Sequence, residues 1–274
     1  MTGLPDFKYS IVLDGKEYRL DNNDGKNNLH SGFVRSHCKM YDARCGKSKD
    51  GSYVELSRIS PKFEQGFPGD LEQRIRYTLT DNNELIIDYR MITNETTVVN
   101  PTNHTYFNLN GQDSGNVLKH RLEIYANSFL EIDEDFIPTG NILNVENTPM
   151  DFRIKKIIGK QIDYNDVQIR RAKGYDHNYV FTNDGKLKKM AKLYCDESGI
   201  TMIVYSDLCG MQLYTGNFLD GVVGKGGIRY EEKAGICFET QYYPNACNED
   251  HFPSSVLKAG QVYKSRTIYE LAVS

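Results

Sequence analysis

The sequence has no tryptophan, which leaves aromatic packing to 19 tyrosines and 12 phenylalanines. A tyrosine excess suits half-buried strands and clefts with polar rims. The six cysteines (38, 45, 195, 209, 237 and 247) form no C-x-x-C pair and match no zinc spacing. A chain this long needs no disulfide framework, so reduced thiols in a cytoplasmic protein are the simplest reading. No stretch reaches the ~18 apolar residues of a membrane span, and "MTGLPDFKYS" lacks the apolar core of a signal peptide. Blocks of like charge are missing too. With 33 Lys and Arg against 37 Asp and Glu, net −4, nothing attracts a nucleic-acid backbone. The one locally basic run, residues 153–160, reads as a solvated strand or helix face.

What is present is alternation of period two. Residues 9–20, "YSIVLDGKEYRL", predict a hairpin around Asp14–Gly15, a dipeptide suited to a type I′ turn. Residues 75–92 predict a second hairpin around Asp81–Asn83, and 187–206 a third around Glu197–Gly199. Further strands are expected at "GMQLYTGN", "GICFETQYY" and "GQVYKSRTIYEL". Helical periodicity is scarce, with one short helix expected within 161–173. Strands succeeding strands predict an all-β, antiparallel sandwich. No linker or repeat divides the chain, so residues 1–274 read as one domain. The Asn- and Asp-rich segment 20–32 reads as a long polar loop, a common place for a binding group.

Three polar clusters interrupt the apolar pattern. In "VNPTNHTYFNLNG", residues 99–111, strand alternation puts His104, Tyr106 and Asn108 on one face. Asn103, Thr105, Phe107 and Leu109 take the other. A lone strand histidine is usually a hydrogen-bonded core residue, but these polar neighbours leave structure and function equally open. In "GYDHNYV" (174–180), Asp176 and His177 are adjacent and point to opposite faces, so only one enters a given cleft. A turn aspartate capping the strand is the plainer reading. In "GICFETQYYPNACN" (235–248), Glu239 lies in an apolar strand with Cys237 and Gln241 as face-mates. Glutamate is depleted in strands and rarely buried without a partner. Burial raises a carboxyl's pKa, which is what a general base requires.

Together with "LYTGNFLDG" and "HFPSSVLKAGQVY", these motifs resemble the aldose 1-epimerase (galactose mutarotase) family, in order, from about Phe7 to Leu271. The resemblance implies a large antiparallel β-sandwich with sugar in an open cleft. It implies interconversion of the α and β anomers of an aldohexose such as galactose or glucose, with no metal or organic cofactor. Glu239, of the F-E-T-Q motif, corresponds to the general base and His104, of N-H-x-Y-F-N, to the general acid. Asp176, of D-H-N, corresponds to a ligand of sugar hydroxyls, and His30, in "NLHSG", to a further sugar contact. Both acid–base groups are then expected to have pKa values near working pH. A monomer or weak homodimer is expected.

The sequence departs from the family's pattern in places. Family chains usually open with a further segment ending in an N-R-I motif, whose arginine binds sugar. Here "MTGLPD" stands in that place, and the first arginine is Arg19. Loss of that arginine and of the sandwich's first strands is therefore expected. Ser31 and Asn245 stand where the family tends to have glycine and aspartate. A catalytically impaired sugar-binding protein of the same fold is the alternative. A glycoside hydrolase using Asp176 and Glu239 as paired carboxylates is a third reading.

Overall fold

The structure, a computed structural model, describes residues 7–8 and 10–273. The segment before Phe7, on which the expectation of lost N-terminal strands falls, lies outside the described residues. Two antiparallel sheets dominate. The larger has nine strands in the order Lys156–Ile157, Arg121–Ile124, Lys188–Tyr194, Ile200–Ser206, Val262–Val273, Glu84–Thr93, Leu71–Leu79, Gly51–Ser60 and Asp42–Ser48. The smaller comprises β1 (Ser128–Ile132), β2 (Pro138–Asn144), β3 (Asp176–Val180), β4 (Gly210–Tyr214) and β5 (Cys237–Gln241), in the order β2-β1-β3-β4-β5.

The three expected hairpins form where alternation and turn chemistry agree. Asp14 and Gly15 both take positive φ, 50° and 77°, as a type I′ turn requires. The second and third hairpins turn at Asn83 (φ 59°) and Gly199 (φ 71°). The helix is shorter than the window that predicted it. α1 covers only Val167–Ala172, because Asp166 caps it by accepting from Gln168 N and Ile169 N, and Lys173 ends it in the left-handed conformation. The basic run divides between the edge strand Lys156–Ile157 and a single helical turn, Ile158–Lys160. Lys156 is half-buried rather than solvated, donating to the Pro149 carbonyl and to Gln161 Oε1, both at 2.7 Å.

One continuous core joins the facing sheets. Ile87, Leu122, Met190, Met202 and Val204 of the large sheet meet Phe129, Tyr179, Met211, Leu213 and Phe238 of the small one. Polar ties cross the same layer, with Tyr269 Oη donating to the Phe238 carbonyl at 2.9 Å. By alternation, every second residue of β3, β4 and β5 turns away from this core. That outer face is buried too, which is why all five residues of β5 are inaccessible. A strand covered on both sides has no solvent face for its polar residues, so Glu239 and Gln241 must face a lined recess.

Candidate active site

That recess is a cleft of about 710 Å³ over the outer face of β3–β5. Strand register arranges its floor. Asp176, Tyr214 and Cys237 lie side by side across β3, β4 and β5, and Asn178, Gln212 and Glu239 form the next row. Gly210 follows β4's alternation, and a Cβ there would lie 2.7 Å from Asn178 Oδ1 and 2.9 Å from the Gln241 carbonyl. Glycine thus leaves room for the Asn178 side chain against the backbone of β5. The same pleat sends His177 the other way, into the core and edge-on to Phe129 at 5.8 Å. Of the adjacent Asp176 and His177, only the aspartate enters the cleft.

Residues 99–111 do not form the strand that alternation predicts. They run as an irregular extended segment, joined to the rest by one isolated bridge between Phe107 and Ile236. Side chains replace the missing ladder. Asn100 donates to the Tyr242 carbonyl (3.0 Å) and accepts from Tyr242 N–H (2.8 Å). Asn103 bonds Thr105, and Asn108 Nδ2 donates to the carbonyls of Gly115 and Ala234. Several of the stretch's polar residues are therefore scaffolding, and Asn108 does not share the cleft with His104 and Tyr106. Backbone groups without a ladder must be satisfied by other partners, and short amides supply them.

His104 projects from this segment to the middle of the cleft. Its Nε2 is 3.5 Å from Glu239 Oε1, and its Nδ1 is 3.3 Å from Cys237 Sγ. The ring packs near Tyr106 (5.0 Å), His30 (5.4 Å) and Tyr214 (5.9 Å). Burial drives the His104 pKa down to about 4, and a hydrogen bond to its own backbone pulls it up in smaller measure. The expectation of a histidine poised near neutral pH does not hold, because desolvation outweighs that hydrogen bond.

Asp176 accepts from Gln212 Nε2 at 2.7 Å. Burial lifts its pKa to about 6, against the lowering effect of that hydrogen bond. His30 is delivered by the polar loop. Asn23 Nδ2 donates to the carbonyls of Leu29 and Gly32, and its Oδ1 accepts from Leu29 N–H. The turn so fixed runs left-handed through His30 (φ 53°) and Ser31 (φ 72°). The φ at Ser31 is one that favours glycine.

Tyr106, Gln212, Tyr214 and Arg35 also line the cleft; alternation placed Tyr106 beside His104, but sequence reasoning singled out none of the other three. Gln212 had a legible signal, a polar residue alternating with Met211 and Leu213. Arg35 had none, since it comes from an irregular loop. Ligand atoms of His104, Cys237 and Glu239 lie within 4.8 Å of one another, close enough to consider a metal ion. The observed contacts use opposite ring nitrogens, however, Nδ1 for sulfur and Nε2 for the carboxylate. One ion would have to draw both groups to a single nitrogen, so the arrangement fits proton transfer better than coordination.

Comparison with known proteins adds an independent finding. The family model described as aldose 1-epimerase matches residues 1–270. The galactose mutarotase of Bos taurus is 40% identical over 268 residues, covering 97% of this chain and 75% of that protein. The aldose 1-epimerase of Escherichia coli K12 is 34% identical over 264 residues, covering 94% and 74%. Among solved structures, an aldose epimerase homologue from C. elegans superposes with a TM-score of 0.88 at 28% identity, over 99% of this chain and 80% of that one.

Proposed function

The chain belongs to the aldose 1-epimerase family, and from that premise we propose the following assignment of its site. The enzyme is an isomerase that interconverts the α and β anomers of aldohexoses such as galactose or glucose. His104 is its acid and Glu239 its base. The observation that carries this assignment is the opposition of His104 Nε2 and Glu239 Oε1 across 3.5 Å at the centre of the cleft. The anomeric hydroxyl and the ring oxygen share one carbon, so two groups this close serve both at once.

Glu239 takes the proton of the anomeric hydroxyl while protonated His104 gives one to the ring oxygen. The carbon–oxygen bond of the ring opens to the free aldehyde. Rotation beside the aldehyde presents its other face, and closure with the roles exchanged yields the other anomer. The competent form has both ring nitrogens of His104 protonated and Glu239 ionised. Burial opposes the charge on the ring, so that form is a minor fraction of the protein at neutral pH. Protons alone balance the reaction.

Asp176, held by Gln212, and His30 bind sugar hydroxyls. The buried Asn178 Nδ2 and Oδ1, Gln212 Oε1 and Gln241 Oε1 have no partner among the described residues, which leaves hydrogen-bonding capacity on the cleft floor for a polyol. Tyr106 and Tyr214 offer apolar faces to its C–H groups. The relatives compared above are named for epimerisation or mutarotation rather than for sugar binding, which favours turnover over binding alone. The described residues contain no helix long and apolar enough to cross a membrane. All six thiols are free, which supports a reducing, cytoplasmic setting.

Polarimetry tests the proposal. Freshly dissolved α-D-glucose or α-D-galactose should reach its equilibrium rotation faster with protein than in buffer, and Glu239→Ala should abolish the gain. An unchanged rate with the native protein would overturn it.

A further inference from the structure

We propose that Cys237 is a positioning residue for His104, its sulfur accepting from Nδ1–H so that Nε2 remains the working nitrogen toward Glu239 and the sugar. The inference rests on the reading of His104 as the acid. Three observations lead to it. Cys237 is fully buried, on the cleft face of β5, two residues before the base. Its sulfur is 3.3 Å from Nδ1, the nitrogen that faces away from Glu239. The thiol is also held in its neutral form, because burial and the carboxylates of Glu239 and Asp176 all oppose a thiolate.

A neutral partner suits a proton shuttle. When imidazolium gives the Nε2 proton to the ring oxygen, the proton that stays on the ring is the one on Nδ1. A sulfur lone pair can hold that Nδ1–H in both charge states, so nothing at Nδ1 rearranges during turnover. A carboxylate in the same place would bind the imidazolium too tightly, and an alkyl group would leave Nδ1–H without this acceptor. The competing tautomer carries its proton on Nε2 and donates it to Glu239, which blocks the base. Besides the sulfur, the ring's own backbone accepts a hydrogen bond from it and favours the charged form, while Arg35 and His37 oppose that form. The Glu239 carboxylate lies on the other side of the ring, 3.5 Å from Nε2, and Asp176 lines the same cleft. His30, Tyr106 and Tyr214 pack around the ring.

The experiment combines kinetics with nitrogen-15 NMR of the His104 ring. Spectra are taken at neutral pH in protein saturated with 1,5-anhydroglucitol, a sugar that has the ring oxygen but cannot open. The native protein, whose ring is mostly neutral at this pH, should show Nδ1–H with bare Nε2 in that neutral form. Cys237→Ala should move the population toward Nε2–H. It should lower kcat about tenfold, the scale expected when a buried hydrogen bond to the acid is lost, with KM within about twofold since sugar contacts remain. The high-pH limb of kcat should move to lower pH, because the imidazolium loses its acceptor. Cys237→Ser, which keeps an acceptor, should restore most of the rate and the native tautomer. A neutral native ring with Nε2 protonated and Nδ1 bare overturns the proposal, even if the alanine variant does not fold. So does a folded alanine variant with native kcat, pH limb and tautomer while His104→Gln is inactive. Full activity in His104→Gln would instead overturn the reading of His104 as the acid.

Discussion

Asn100 grips the backbone of Tyr242 from both sides, donating to its carbonyl and accepting from its N–H across a separation of 142 residues. One partner lies four residues before His104 and the other three residues after Glu239. The side chain of a fully buried asparagine therefore sets the spacing of the acid and the base. Asn100→Ala removes both bonds and leaves two part-buried backbone groups unmet, at a cost of about 1–3 kcal/mol. Denaturant unfolding checks that figure. A misplacement of about 1 Å at the reacting atoms can cost up to ~100-fold in rate, so kcat should fall further than sugar affinity.

The acid and base should act as a unit. Glu239→Gln and His104→Gln each remove one proton-transfer partner, and each should lower kcat by roughly 10²–10⁴. The double variant should be little slower than the worse single one, because neither group works without the other. Polarimetry on all three separates this outcome from additive losses, which would mean two independent roles.

Gln212 should control Asp176. Its hydrogen bond is what holds the Asp176 pKa down near 6 against burial. Gln212→Leu removes that support, so the aspartate should stay protonated to higher pH and accept sugar hydroxyls less well. KM should rise about tenfold, the value of one charge-assisted hydrogen bond, and the rise should be greatest on the acid side of neutrality. Progress curves over a pH series measure it.

Acid should destabilise the fold before its carboxylates titrate. Burial lowers His104 to about 4 and His177 to about 3. Both then bind fewer protons folded than unfolded between those values and the ordinary 6.5. Their contribution to stability is complete above about pH 6.5 and is lost as pH falls toward 4, on the order of 3 kcal/mol each. Asp176, raised to about 6, acts the other way, its penalty easing as pH drops from 6 toward 3.8, but it is one group against two. Urea midpoints should therefore fall from pH 7 to pH 5, and His177→Gln should flatten that slope.

Alternation and turn chemistry are local properties, and they suffice for the all-β architecture. Asp14–Gly15 turns where it must, and the three hairpins follow from their own residues. The sequence also marked Glu239, since a carboxylate in an apolar strand has no local explanation, and alternation alone listed Cys237 and Gln241 beside it on one face. The remaining features depend on contacts between residues far apart in the chain. The segment around His104 has the alternation of a strand but lies against Tyr242, Ala234 and Ile236 instead of joining a ladder, so pleat logic misplaced Asn108. Whether Asp176 or His177 faces the cleft depended on which side of β3 the large sheet covers. The His104–Cys237 contact spans 133 residues and the Arg35 position depends on an irregular loop. Period-two patterns report which residues share a face. They carry no information about which distant face will cover it, and burial by that distant partner is what sets the pKa of His104.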